Sequence, residues 1–197
     1  VFSTITSGGD NPNADFDQTL EGGKGDDWMV ASIRFDGNAA SSYVVSARNE
    51  LDGGAGDDDL TAIAQALGED ASTAENVLIG GNGYDTLYAE ATALSGGLDP
   101  AGYSATNRLL GGKGDDNLRA TITDGSPGAS RLAGGAGDDD LGVMGGDGNR
   151  LGGGGGNDQI AGSAGRDTIR GGSGDDVLTA SGGDDSITGG SGTDTFV

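Results

Sequence analysis

From Gly153 to Val197 the chain reads GGGGNDQIA, GSAGRDTIR, GGSGDDVLT, ASGGDDSIT and GGSGTDTFV, successive nonapeptides that follow the pattern G-G-x-G-x-D-x-U-x, where U is a large apolar residue. A period of this kind constrains the fold severely, because it calls for one small unit stacked on the next rather than a single globular core. The same nonapeptide recurs singly upstream, as GGKGDDWMV from Gly22, GGAGDDDLT from Gly53, GGNGYDTLY from Gly80, GGKGDDNLR from Gly111 and GGAGDDDLG from Gly134.

The spacing of the apolar residues explains why these upstream copies stand apart. Across each glycine turn the step is nine residues: Leu20 to Met29, Leu51 to Leu60, Leu78 to Leu87, Leu109 to Leu118, Leu132 to Leu141 and Leu151 to Ile160. The alternate step varies, from 22 residues between Met29 and Leu51 through 18, 22 and 14 to 10 between Leu141 and Leu151, and after Ile160 every step is nine. A coil of two strands has two turns, which need not be equal. The expectation is an all-β parallel β-solenoid with one edge of uniform Gly/Asp turns and an opposite edge of wide turns that taper toward the C-terminus. Residues 1–152 would form the wide coils and 153–197 the tandem nonapeptide coils of one continuous solenoid.

Alternation within the wide coils predicts strands. Met29, Ala31, Ile33 and Phe35 leave the glycine turn on one side, and Tyr43, Val45, Ala47, Asn49 and Leu51 return to it. Two residues past the apolar position stands Ala31, Ala62, Ala89 or Ala120; two before the return Leu stands Asn49, Asn76, Asn107 or Asn149, with Ser130 in that place once. Small facing residues let two sheets lie close, and stacked Asn amides can hydrogen-bond along a column at about 4.8 Å. The Asn column is read as structural.

Composition alone would suggest disorder: 43 glycines, 33% hydrophobic residues and a formal net charge of −22 leave little to form a core and much to oppose collapse. Something must neutralise the charge. The absence of Cys and His excludes disulfides, thiolate zinc sites, imidazole ligands and His-dependent triads, which leaves hard cations on oxygen ligands. An acidic chain repels phosphates, and no apolar run is long enough to span a bilayer, so neither nucleic acid nor membrane insertion is expected. A chain that begins on Val1 and stops in mid-pattern at Thr195-Phe196-Val197 reads as a piece of a larger parent protein.

Glycine at positions one, two and four lets the backbone enter conformations closed to other residues, so that carbonyl oxygens can turn inward around a point, and the position-six Asp adds a carboxylate. Two such turns one strand spacing apart form an oxygen cage better suited to Ca²⁺ than to Mg²⁺. The pattern resembles the repeats-in-toxin family, and the resemblance runs through nearly the whole chain from Gly22, although the wide upstream turns depart from the family's tandem array.

That resemblance implies a right-handed parallel β-roll with Ca²⁺ held between stacked turns. On the constant edge its ligand carboxylates would be Asp27, Asp58, Asp85, Asp116, Asp139, Asp158, Asp176 and Asp194. The carbonyl ligands would come from Gly23 and Gly25, Gly54 and Gly56, Gly81 and Gly83, Gly112 and Gly114, Gly135 and Gly137, Gly154 and Gly156, Gly172 and Gly174, and Gly190 and Gly192. On the variable edge only the turns of Asp167 and Asp185 follow the pattern, and the turn from Gly145 to Arg150 lacks the position-six acid and is expected to stay empty. About eight ions would follow, bringing roughly sixteen positive charges. The position-five acids, such as Asp26, Asp57, Asp115, Asp138 and Asp175, are read as solvated turn residues.

Arg108, Arg131 and Arg150 each precede a return Leu and should line up on an outer sheet face, where pairing with neighbouring acids is expected and an anionic polysaccharide is the alternative. Trp28, Tyr88 and Tyr103 form no obvious sugar-stacking patch. No convergent basic cluster beside the acids suggests catalysis, so the chain is read as non-enzymatic, any chemistry belonging to an attached partner. The function expected is calcium-induced folding of a module of a larger secreted protein, extracellular or at the cell surface and exported by type I secretion. The competing reading is a structural rod, in a surface layer, adhesin or filament, whose edges or ends support self-assembly.

Overall fold

The computed structural model describes residues 1–7, 13–36, 44–68, 71–95, 102–123 and 126–197. Among these residues the chain is all β, with strands alternating between two parallel sheets. One sheet holds β1 (Phe2–Ser7), β3 (Trp28–Asp36), β5 (Asp59–Gly68), β7 (Thr86–Ser95), β9 (Asn117–Ile122), β11 (Asp140–Met144), β13 (Gln159–Ala161), β15 (Val177–Thr179) and β17 (Thr195–Phe196). The other holds β2 (Asn13–Lys24), β4 (Val44–Ala55), β6 (Ala71–Asn82), β8 (Tyr103–Lys113), β10 (Gly128–Ala136), β12 (Asn149–Gly155), β14 (Asp167–Ser173) and β16 (Ser186–Ser191). Each strand pairs with the one two places on, which is the topology of a β-solenoid.

The taper read from the spacing is present. Strands of the first sheet shorten from ten residues in β7 to six in β9, three in β13 and two in β17; those of the second shorten from twelve in β6 to seven in β12 and six in β16.

Register follows the apolar steps. Leu20 pairs with Leu51, Leu51 with Leu78, and the column continues to Ile169 and Ile187; on the facing sheet Met29 pairs with Leu60 and the column runs to Leu178 and Phe196. A slip of one residue would turn the buried members of these columns to solvent, so the pattern itself fixes the pairing. Met29, Ala31, Ile33 and Phe35 are all buried, as are Val45, Ala47, Asn49 and Leu51. Tyr43, read as the first inward residue of that strand, lies outside the described residues.

The interior is two apolar clusters, not one. The first runs the length of the rod beside the glycine turns and contains the Leu columns. The second, with Ile33, Phe35, Val45, Ile122 and a group of alanines, occupies only the wide coils. Between them the polar column crosses the interior. The Asn49 Nδ2 donates to Asn76 Oδ1 at 2.8 Å and the Asn76 Nδ2 to Asn107 Oδ1 at 2.9 Å, and each amide also bonds the opposite sheet, at the carbonyls of Ile63, Glu90 and Thr121. These amides thus tie coil to coil and sheet to sheet in a buried interior, where such bonds are strong and their loss is costly.

Candidate metal centre

The constant edge is a stack of Gly/Asp turns held together by two side-chain ladders. In the first, each position-six carboxylate reaches back one coil. The backbone N–H of Asp27 donates to Asp58 Oδ1 at 2.8 Å, that of Asp58 to Asp85 Oδ1 at 2.9 Å, and that of Asp85 to Asp116 Oδ1 at 2.9 Å. The series continues through Asp139, Asp158 and Asp176 to Asp194, whose Oδ1 accepts from the Asp176 N–H at 3.2 Å. All eight aspartates expected on this edge therefore stand in one column.

The second ladder runs the opposite way and corrects the reading of the position-five acids as merely solvated. Asp26 Oδ1 accepts the N–H of Asp57, Asp115 Oδ1 that of Asp138, and Asp175 Oδ1 that of Thr193. Asn157 serves equally well in one turn, accepting from the Asp175 N–H. These side chains are exposed, as expected, yet each fastens its turn to the next.

One oxygen of each position-six carboxylate is left over. The Oδ2 atoms of Asp27, Asp58, Asp85, Asp116, Asp139, Asp158 and Asp176 are buried and have no hydrogen-bond partner. A buried carboxylate oxygen without a donor is costly and calls for a cation. Burial, reinforced by the neighbouring carboxylates and opposed by the backbone N–H bonds, raises the carboxyls of Asp58 and Asp85, pushes those of Asp116 and Asp158 up to about 6, and pushes that of Asp139 up to about 7. Without a counter-ion these five carboxyls give up their protons less readily than a solvated aspartate does.

Backbone oxygens complete the setting. Gly112 and Gly114 have φ of 125° and 111°, and a β-carbon on them would lie 2.2 and 2.0 Å from the carbonyl oxygens of Gly81 and Gly83 in the preceding turn. From the turn of Gly54 and Gly56 onward the second- and fourth-position glycines are thus required twice, for the positive-φ backbone and for the close approach of a carbonyl. Among the described residues no group of three or more acidic side chains converges on one point. A cation held here would take carboxylate oxygen from the column together with carbonyl oxygens of the turns, a donor set of the hard-oxygen kind that suits Ca²⁺.

The variable edge is different. The column that holds Asn49, Asn76 and Asn107 passes through Ser130 and Asn149 to Asp167 by strand register. The Asn column and the variable-edge Asp column are therefore one column, and its residue changes type where the coil narrows to a nonapeptide. Asn149 Nδ2 donates to Asp167 Oδ1 at 2.8 Å, while Asp167 Oδ2 accepts from the Ser163 backbone N–H and, at 3.1 Å, from the Ser163 hydroxyl. Outside them Arg166 donates from its backbone and its guanidinium to Asp147, which holds the Asp147 carboxyl at about 2. Both oxygens of Asp167 already have donors, unlike the constant-edge carboxylates. Asp185 follows in the column, its Oδ1 accepting the Asp167 N–H at 2.8 Å.

A family model for the RTX calcium-binding nonapeptide repeat matches residues 14–32, 46–62, 70–93, 102–121, 144–178, 152–186 and 170–197, well over half of the chain. The chain belongs to this family. Its repeats are calcium-binding repeats, and the RTX β-roll is a structural module. The copy from Gly134 falls between the matched ranges, yet Asp139 takes its place in the RTX column between Asp116 and Asp158. No curated protein and no solved structure matches the chain significantly.

Of the other residues singled out, Trp28 is exposed on the nine-stranded sheet, which also carries Tyr88, whereas Tyr103 is buried in the eight-stranded one, so the three do not share one surface. Arg108, Arg131 and Arg150 do line up, Arg131 pairing in register with both of the others. The expected ion pairs with neighbouring acids are absent among the described residues. Other arginines do pair, among them Arg48 with Glu50 and Glu75, Arg119 with Asp140 and Arg166 with Asp147.

Proposed function

We propose that this chain is a calcium-induced folding module of a larger secreted protein. The observation that carries the reading is the run of buried, partnerless Oδ2 atoms along the constant edge. One ion in each gap between the turns of Asp27, Asp58, Asp85, Asp116, Asp139, Asp158, Asp176 and Asp194 supplies what those atoms lack, with carbonyls of the second- and fourth-position glycines completing each site. A further ion lies between the turns of Asp167 and Asp185, with its carboxylate ligand from Asp185, since both oxygens of Asp167 already have donors. The gap between the Gly145–Arg150 turn and that of Asp167 takes none, because Asn149 and Ser163 already occupy the carboxylate.

About eight ions neutralise most of a net charge of −22, leaving a value near −6 that a folded domain tolerates. Without them the carboxylates of successive coils repel at about 4.8 Å, so binding and folding are one process. In the low-calcium cytosol the chain stays unfolded, a state suited to export, and outside the cell it folds. Its role is structural, and any chemistry resides in the parent protein.

Calorimetric titration of the chelator-treated chain with calcium, with the bound ions counted by equilibrium dialysis, tests this reading. The expected result is about eight ions taken up together with folding. Uptake of one or two ions with no change in the backbone signal would refute it.

A further inference from the structure

The outer face of the eight-stranded sheet changes character along the rod. Its N-terminal strands carry acids outward, among them Asp17, Glu21 and Asp52. From β8 to β16 no acid stands on an outward position, in a chain with 32 acidic residues. Arg108, Arg131, Arg150 and Arg170 are all exposed there, four of the chain's ten basic residues, and among the described residues none of the four has an ion pair.

These four line a groove of about 630 Å³. The first three stand on adjacent strands in one row; Arg170 ends the neighbouring row, in which Leu110, Ala133 and Gly152 pair in succession and form a small, apolar floor. Guanidinium groups at adjacent strands repel unless something anionic lies along them, and guanidinium is the side-chain group best matched to a carboxylate in bidentate contact.

We propose that this groove binds a linear acidic glycan whose carboxylates recur at about the strand spacing of 4.8 Å. The row runs along the rod axis, so the ligand is an extended chain with repeated charge rather than a single anion. The Leu110–Ala133–Gly152 floor offers apolar surface to sugar ring faces. Broad polyanions such as duplex nucleic acid would also meet the acidic N-terminal half of the same face and are repelled. The site needs the folded coils and so rests on the calcium-dependent fold, but none of its residues belongs to the calcium turns.

The test uses the full chain in saturating calcium, its fold checked by circular dichroism. The probes are an oligogalacturonate too short to gel with calcium and a neutral glucan oligomer of equal length, both followed by calorimetry. The acidic oligomer is expected to bind saturably and more weakly as salt rises, and the neutral one not to bind. Replacing all four arginines by Gln should weaken binding by about tenfold or more with the spectrum unchanged, whereas Arg48→Gln, a paired arginine on the same face, should leave it intact. Undiminished binding by the fourfold variant would place the glycan on the calcium turns and overturn the proposal. Equal binding of the neutral oligomer would overturn it too, as would failure of the folded chain to bind the acidic one. If sedimentation then showed a concentration-dependent mass that the fourfold variant loses, the groove's occupant would be a second copy of the chain.

Discussion

The backbone N–H of Asp58 donates to Oδ1 of Asp85 at 2.9 Å, and Oδ2 of the same Asp85 carboxylate is buried with nothing to bond. One oxygen fastens two coils together and fixes the orientation of the carboxylate. The other is thereby held in the gap between turns. Repeated along the constant edge, this division of labour makes the column a structural ladder and, in the function proposed, a row of cation ligands, which would account for an aspartate at position six rather than an asparagine or a serine.

Asp139→Asn separates the two roles. The amide oxygen can still accept the Asp116 N–H, but the charge is gone. Calcium affinity should fall by about tenfold or more, because charge count sets the strength of a hard-cation site. In chelator the effect should reverse, with more residual β structure than the parent chain, since a buried charge has been removed. Calorimetry and circular dichroism of the two chains side by side check both signs.

The raised carboxyls give the metal-free chain a definite pH dependence. A carboxyl with a higher pKa folded than unfolded binds more protons in the folded state. The stability it contributes is complete below the unfolded value near 4 and is lost as pH rises through about 6 for Asp116 and Asp158 and about 7 for Asp139. In chelator, β structure should therefore increase as pH is lowered from 8 to 4. Protons and calcium compete for the same oxygens, so calcium affinity should decline as pH falls through about 7 and more steeply below about 6. Circular dichroism in chelator and calcium titrations at several pH values measure the two trends.

Gly112→Ala should be severe and Gly152→Ala should be silent. A β-carbon on Gly112 meets the Gly81 carbonyl oxygen at 2.2 Å on a backbone of φ 125°, while one on Gly152 meets nothing within 4 Å. The calcium-loaded stability should fall by more than about 2 kcal/mol in the first case and stay within about 0.5 kcal/mol in the second. Thermal denaturation in saturating calcium distinguishes them.

Asn76 is the centre of the interior ladder, accepting from Asn49 and donating to Asn107 and to the Glu90 carbonyl. Asn76→Ala leaves a buried donor and two acceptors unmatched and should cost about 1–3 kcal/mol. Asn76→Asp should cost more, because it sets a carboxylate against two oxygens that need a donor. Denaturant unfolding of the calcium-loaded chain provides the comparison.

The coil architecture was legible because a solenoid writes its register into the sequence: the constant nine-residue step places Leu51 beside Leu78, and the Asn residues two places earlier align with them. The same periodicity marked Asp27 through Asp194 as one column. What it could not convey was the direction of side-chain hydrogen bonds, which depends on turn geometry. Hence the position-five ladder of Asp26 and Asp115 went unread, as did the engagement of Asp167 by Asn149 and Ser163. The sequence did place Asn149 and Asp167 two residues before their apolar partners, and that shared offset was the available sign that the two columns are one. Arg108, Arg131 and Arg150 were expected to find acids because the chain is so acidic, but strand alternation and register direct them to a part of the face that has none.

The central claim is that calcium takes the place of a conventional core at the glycine-turn edge, and far-UV circular dichroism during a calcium titration of the chelator-treated chain, with magnesium as the control, tests it most directly. The account predicts a cooperative gain of β signal with calcium and none with magnesium. A chain already fully folded in chelator would contradict it, showing that the Leu columns and the Asn ladder hold the coils without the metal.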